Sequence, residues 1–211
     1  NATFQYLSVN PAGAWASGGN VNTARYVSGG TGTQTAALMI AGATAPPNNK
    51  RAFVESYNGS SWTEIADLNT ARQQAGGAGT STAAITFGGY ATFTEPEATT
   101  ESWNGTSWTE VGDLNTERLY GAPAGTATSA LYAGGDDGAT PTVLAVAESW
   151  NGSAWTEVGD LNEGRSLVAG GGTSNTAALA FGGYPGSGRT AKTESYNGSS
   201  WTEVADLSAA R

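Results

Sequence analysis

The chain has 211 residues, of which 31 are glycine and none is cysteine or histidine; acidic residues outnumber basic ones 18 to 9, for a net charge of −9. Lacking Cys and His, it can form no disulfide, thiolate nucleophile, imidazole metal ligand or Ser-His-Asp triad. The negative charge argues against nucleic-acid phosphates and anionic membranes as partners, and no apolar run approaches the ~18 residues of a membrane span. Glycine has about twice its usual share. Even so, 38% hydrophobic residues and seven Trp point to a packed core and not to disorder.

Read from the N-terminus, the sequence repeats itself. Trp15 is followed by Trp62, Trp108, Trp155 and Trp201, at spacings of 47, 46, 47 and 46. Arg25, Arg72, Arg118, Arg165 and Arg211 keep the same register. Residues 1–21 hold a partial unit, and full units follow at 22–68, 69–114, 115–161 and 162–207, with 208–211 opening another. Each full unit begins with an Asn-Thr-x-Arg-like segment and passes into a Gly/Ala/Thr-rich stretch. Short apolar runs follow, such as Thr82–Phe87, Ser129–Tyr132 and Thr176–Phe181. Bounded by glycines, they suit strands buried on both faces. They end in a glycine pair: Gly88-Gly89, Gly134-Gly135 and Gly182-Gly183, with Ala41-Gly42 in the first unit.

A loop that differs in every unit comes next, and then the best-kept block, Glu-Ser-Tyr/Trp-Asn-Gly-x-x-Trp-Thr-Glu, from Glu55, Glu101, Glu148 and Glu194. Asn-Gly between two aromatics predicts a tight hairpin with a type I′ turn. It also accounts for the glycosylation-like Asn-Gly-Ser/Thr pattern at Asn58, Asn104, Asn151 and Asn197. No window sustains a helical period of about 3.6 residues. A unit of ~46 residues with four short strands is the size of one propeller blade.

The order of glycine pair, aromatic and Trp resembles the kelch repeat. That resemblance implies glycine pairs closing the second strand. It puts Tyr57, Trp103, Trp150 and Tyr196 on the third strand and Trp62, Trp108, Trp155 and Trp201 on the fourth. The wording of the block is also similar to kelch-like repeats in predicted proteins of marine phages and bacteria. The expected fold is an all-β, kelch-like propeller of four full blades plus an N-terminal half-blade, either a five-bladed ring or part of a larger one. Three completions stay open: a chain that is a fragment, a second copy or neighbouring chain that closes the ring, or five blades of which one is thin.

Repeated side chains read as scaffold. Arg25, Arg72, Arg118, Arg165 and Arg211 are expected to pair locally with a repeated acid such as Asp67, Asp113, Asp160 or Asp206. Glu55, Glu64 and their copies could pass for a glycosidase acid/base pair, but that chemistry needs two carboxylates in different environments, whereas copies share one. No catalytic residue, metal site or cofactor is expected, and the copper site of kelch-type oxidases needs Cys and His. Asp136-Asp137-Gly138 offers a calcium-like cluster in a single unit only.

Recognition is expected on the variable loops after the glycine pairs, where Lys50, Arg51, Tyr90, Phe93, Asp136, Asp137, Tyr184 and Arg189 stand out. The leading expectation is a non-enzymatic structural or recognition module that binds a protein or receptor. It would be extracellular or virion-associated, in a tail or cell-surface protein. The alternative is a lectin whose repeated aromatics present equivalent sugar sites.

Overall fold

The structure, a computed structural model, describes residues 18–45, 49–91, 95–138 and 143–211. Among them there is no helix, and the strands form four antiparallel four-stranded sheets. The first blade holds β1 (Gly29–Thr33), β2 (Ala36–Ile40), β5 (Val54–Tyr57) and β6 (Trp62–Ile65), with a short hairpin, β3 (Ala43–Thr44) and β4 (Asn49–Lys50), in the loop between its second and third strands. The second holds β7 (Gly76–Gly79), β8 (Ala84–Phe87), β9 (Thr100–Trp103) and β10 (Trp108–Glu110). The third holds β11 (Ala122–Thr126), β12 (Ser129–Asp136), β13 (Val143–Trp150) and β14 (Trp155–Val158). The fourth holds β15 (Ala169–Ser174), β16 (Ala177–Phe181), β17 (Thr193–Tyr196) and β18 (Trp201–Val204). This is a β-propeller of four four-stranded blades. The expected half-blade at residues 1–21, including Trp15, falls almost wholly outside the described residues.

The first strand of each blade packs on the next: β1 on β7, β7 on β11 and β11 on β15. These strands are made of small residues, as in GGTGT, GGAG, APAGT and AGGGTS. The need for glycine is steric: a Cβ at Gly170 would lie 2.5 Å from the Pro123 carbonyl oxygen of the preceding blade. Farther out, the second strand of one blade meets the aromatics of the next. Leu38 and Ile40 pack with Trp103 and Trp108, Ile85 and Phe87 with Trp150 and Trp155, and Leu131 and Ala133 with Tyr196 and Trp201.

The fourth blade departs from this. Leu179 of β16 occupies the position of Leu131, yet it is 42% exposed where Leu131 is 1% exposed. No comparable packing of β15 on β1 closes the circuit among the described residues. The expectation of strands buried on both faces therefore holds for β8 but not for β16, which alternates buried and exposed positions.

The hairpin turn also differs from its expectation. Tyr57 pairs directly with Trp62, so the loop is four residues, Asn58 to Ser61, not two. Gly59 takes a positive φ of 94°, and Asn58 does not join it. Instead the Asn58 Oδ1 accepts the Ser60 and Ser61 backbone N–H groups, an Asx turn, and the copies at Asn104, Asn151 and Asn197 do the same. The paired aromatics stack at ring centroids of 5.0 Å (Tyr57–Trp62), 5.3 Å (Trp103–Trp108), 5.5 Å (Trp150–Trp155) and 5.0 Å (Tyr196–Trp201).

Candidate functional site

The repeated arginines are spent on buried ion pairs. Each glutamate that opens the hairpin block is buried and ion-paired with the arginine leading into its own blade. The distances are 3.1 Å for Arg25–Glu55, 2.7 Å for Arg72–Glu101, 2.8 Å for Arg118–Glu148 and 2.6 Å for Arg165–Glu194. This corrects the expected partners: the arginines bind glutamates, not Asp67, Asp113, Asp160 or Asp206. Three of those aspartates instead accept backbone N–H groups, Asp113 from Thr100, Asp160 from Ala147 and Asp206 from Thr193.

The carboxylate is satisfied on both oxygens. Glu148 Oε2 accepts the backbone and side-chain N–H of Asn115, while Oε1 accepts Thr116 N–H and Arg118. Asn115 also donates to the Trp155 carbonyl. The arginine backbone faces the other way. The second glycine of the preceding blade donates to it: Gly42 to Arg72, Gly89 to Arg118, Gly135 to Arg165 and Gly183 to Arg211. One residue thus clasps two blades, its carbonyl held by one and its guanidinium by the next. Arg211 has the first half of the clasp, and its side chain lies exposed. Burial pulls the Arg25, Arg72 and Arg118 guanidinium groups below their ordinary pKa, and the facing glutamate counters it.

Two residues beyond each arginine the pattern inverts. Val27, Gln74, Tyr120 and Leu167 share one register and one backbone geometry, left-handed φ values of 50°, 61°, 60° and 55°, yet no two are the same residue type. Left-handed geometry is disfavoured for non-glycine residues by roughly 1 kcal/mol or more. These four side chains line a single cavity of about 270 Å³ where the four first strands begin. Val27 is 36% and Leu167 51% exposed there. Gln74 Nε2 donates to the Tyr120 hydroxyl across the cavity.

A second cavity, also about 270 Å³, continues outward between the second and third blades, sharing Gln74 and Tyr120 and adding Gln73, Tyr90 and Asp136. Gln73 is 6% exposed, and its Oε1 is buried without a donor. Burial, then Asp136 and then Tyr90 push the Tyr120 hydroxyl above its ordinary pKa.

The loop residues singled out in the sequence divide accordingly. The connections between blades bridge to these loops at Arg51–Arg72, Gln73–Tyr90, Leu119–Asp136 and Ser166–Tyr184, so loops and connections share one face. Tyr90 and Asp136 line the second cavity, and Lys50 lies 4.6 Å from the centre of the Tyr90 ring. Arg51 donates from Nε to the Thr44 hydroxyl and covers the Phe53 ring. Asp136 Oδ1 caps the Gly138 N–H, and Asp137 is half-buried beside it. Tyr184 and Arg189 are exposed on the fourth blade and line neither cavity. Phe93 lies outside the described residues.

The sequence reading missed Val27, Gln73, Gln74, Tyr120 and Leu167. The signal for four of them was present: a position that changes in every unit, two residues from one that never changes. The third-strand indoles of Trp103 and Trp150 are buried and donate to the Ser81 and Ala127 carbonyls, so they form core and not an exposed platform. Among the described residues, no group of three or more carboxylates is placed to hold a metal ion. No protein-family model matches the chain, and no curated protein matches it significantly.

Proposed function

We propose that the protein is a non-enzymatic recognition module, a kelch-like propeller that binds a protein or receptor partner through the face carrying the interblade connections and variable loops. The observation that carries this reading is the division of labour within each repeat. The repeated arginines and the glutamates that open the hairpin blocks are buried in ion pairs, and the other repeated glutamates, Glu64, Glu110, Glu157 and Glu203, recur exposed in like surroundings, whereas acid/base chemistry needs two carboxylates in different environments. The side chains that change from unit to unit gather on one face. A β-propeller displaying variable loops suits an extracellular, virion, tail or cell-surface protein.

A fifth blade fits the same reading. Gly19 meets the first blade as Gly112 meets the third and Gly159 the fourth, each against the turn of its neighbour. Asn22 and Arg25 hold Glu55 as later units hold theirs. The exposed face around Leu179 is the surface a further blade would cover. Burial of Trp103, Trp108, Trp150, Trp155, Tyr196 and Trp201 counts against the lectin alternative, and Tyr57 and Trp62 are partly exposed.

The test is binding of the fluorescently labelled chain to a panel of bacterial cells. Binding that protease treatment of the cells abolishes and periodate oxidation spares supports the proposal. The reverse pattern identifies a lectin. Saturable turnover in a hydrolase and oxidase substrate screen overturns the non-enzymatic reading.

A further inference from the structure

Resting on that recognition reading, we propose that the two joined cavities form one groove for a loop of a partner protein. The loop would place an aliphatic side chain at the axis and a lysine or arginine against Asp136 and Gln73. Three observations converge on this occupant. Val27 and Leu167 hold left-handed backbone at an exposed position where glycine would be unstrained, and such strain collects at ligand-binding positions. The polar pair of the axial cavity, Gln74 and Tyr120, is already mutually bonded, so the axial end offers a ligand mainly aliphatic contact.

The outer end offers acceptors. Gln73 Oε1 is buried without a donor, and the half-buried carboxylate of Asp136 lines the same cavity. A group that donates hydrogen bonds and carries positive charge satisfies both, and a chain of net charge −9 favours its approach. A sugar would gain little from the mutually bonded pair at the axis. An acidic loop would meet Asp136.

The probe is a phage library of disulfide-constrained random seven-residue loops, panned on the full chain. Enriched loops are then resynthesised and titrated against variants. We expect loops that pair an aliphatic residue with Lys or Arg. Binding should weaken at least tenfold in L167G and in D136N, and at least tenfold when the basic residue of the peptide is replaced by Ala. L167G removes the side chain while relieving its backbone, so its unfolding midpoint should not fall. D136N keeps the oxygen that caps Gly138.

Enrichment of acidic or uncharged loops, or binding within twofold of wild type in L167G, overturns the inference. Binding lost in Y184A or R189A but not at the groove also overturns it, while leaving the recognition reading standing. Displacement of the peptide by a glycan panel overturns it in favour of a lectin, and failure to enrich any loop overturns this inference alone, since protease-sensitive binding to cells decides the recognition reading.

Discussion

Arg118 and Tyr120 stand two residues apart on the same connection and belong to different regimes. Arg118 is buried, its position holds arginine in every unit, and its contacts reach the Gly89 amide behind it and the Glu148 carboxylate ahead. Tyr120 is half-exposed, its position holds a different residue in every unit, and its backbone carries a left-handed φ of 60°. Along this connection, the residue that stays the same fits the neighbouring blades, and the residue that changes is the one half-exposed at the axis. The strain agrees with this division, because the clasp is fully hydrogen-bonded at its carboxylate whereas the axial positions hold a disfavoured backbone.

The largest expected effect breaks the clasp. Replacing Glu148 with Ala leaves the buried Arg118 guanidinium without its counter-charge and frees the donors of Asn115 and Thr116, at a cost of roughly 3–5 kcal/mol by urea denaturation. The exposed Lys192–Glu163 pair is the control: K192A should leave the urea midpoint where it is. Equal losses in the two variants would show that burial does not separate clasp from surface.

Gly135→Ala tests the other half of the clasp. The φ of 117° suits only glycine, and a Cβ would sit 2.6 Å from the Leu119 carbonyl oxygen. The expected loss is about 2 kcal/mol in thermal or urea unfolding.

Alkaline titration probes the wall behind the clasp. Burial raises the Tyr132 hydroxyl above its ordinary pKa of 10.0, against the smaller opposing effects of the Gly121 N–H and the Arg118 charge. The neutral phenol is therefore favoured in the folded protein. Its contribution is intact below pH 10 and is lost as the unfolded chain ionises above it. Tyr132→Phe should cost about 1 kcal/mol at neutral pH by orphaning the Gly121 N–H, and should flatten the decline above pH 10. An unchanged slope would place the alkaline loss elsewhere.

The smallest effect has the opposite sign. Val27→Gly exchanges a strained β-branched residue for the one that tolerates its φ of 50°, and should raise stability by about 0.5–1 kcal/mol. A loss would make Val27 a packing residue of the scaffold.

Much of the scaffold was legible in the sequence, and the misreadings have physical causes. Trp and Arg registers marked the blades because each blade must present the same side chains to the next. The partner of Arg72 was misread because Asp67 is near in sequence. The partner in the fold, Glu101, is carried 29 residues downstream by the blade that the arginine introduces. The Asn-Gly turns were misread because a type I′ turn needs two positive φ values, and the asparagine side chain instead captures two amides from an ordinary backbone. Of the candidate site, Tyr90 and Asp136 were legible as loop residues. Gln73 and Gln74 were not, since nothing in a single unit shows which connection residues converge with those of other blades.

The division between clasp and axis is tested most directly by comparing Arg118→Ala with Tyr120→Ser in urea denaturation of the full chain. The expected loss is roughly 3–5 kcal/mol for the arginine variant, which leaves Glu148 buried without its counter-charge, and less than about 1 kcal/mol for the tyrosine variant. Comparable losses in the two would contradict this division, since the residue assigned to recognition would then be holding the blades together.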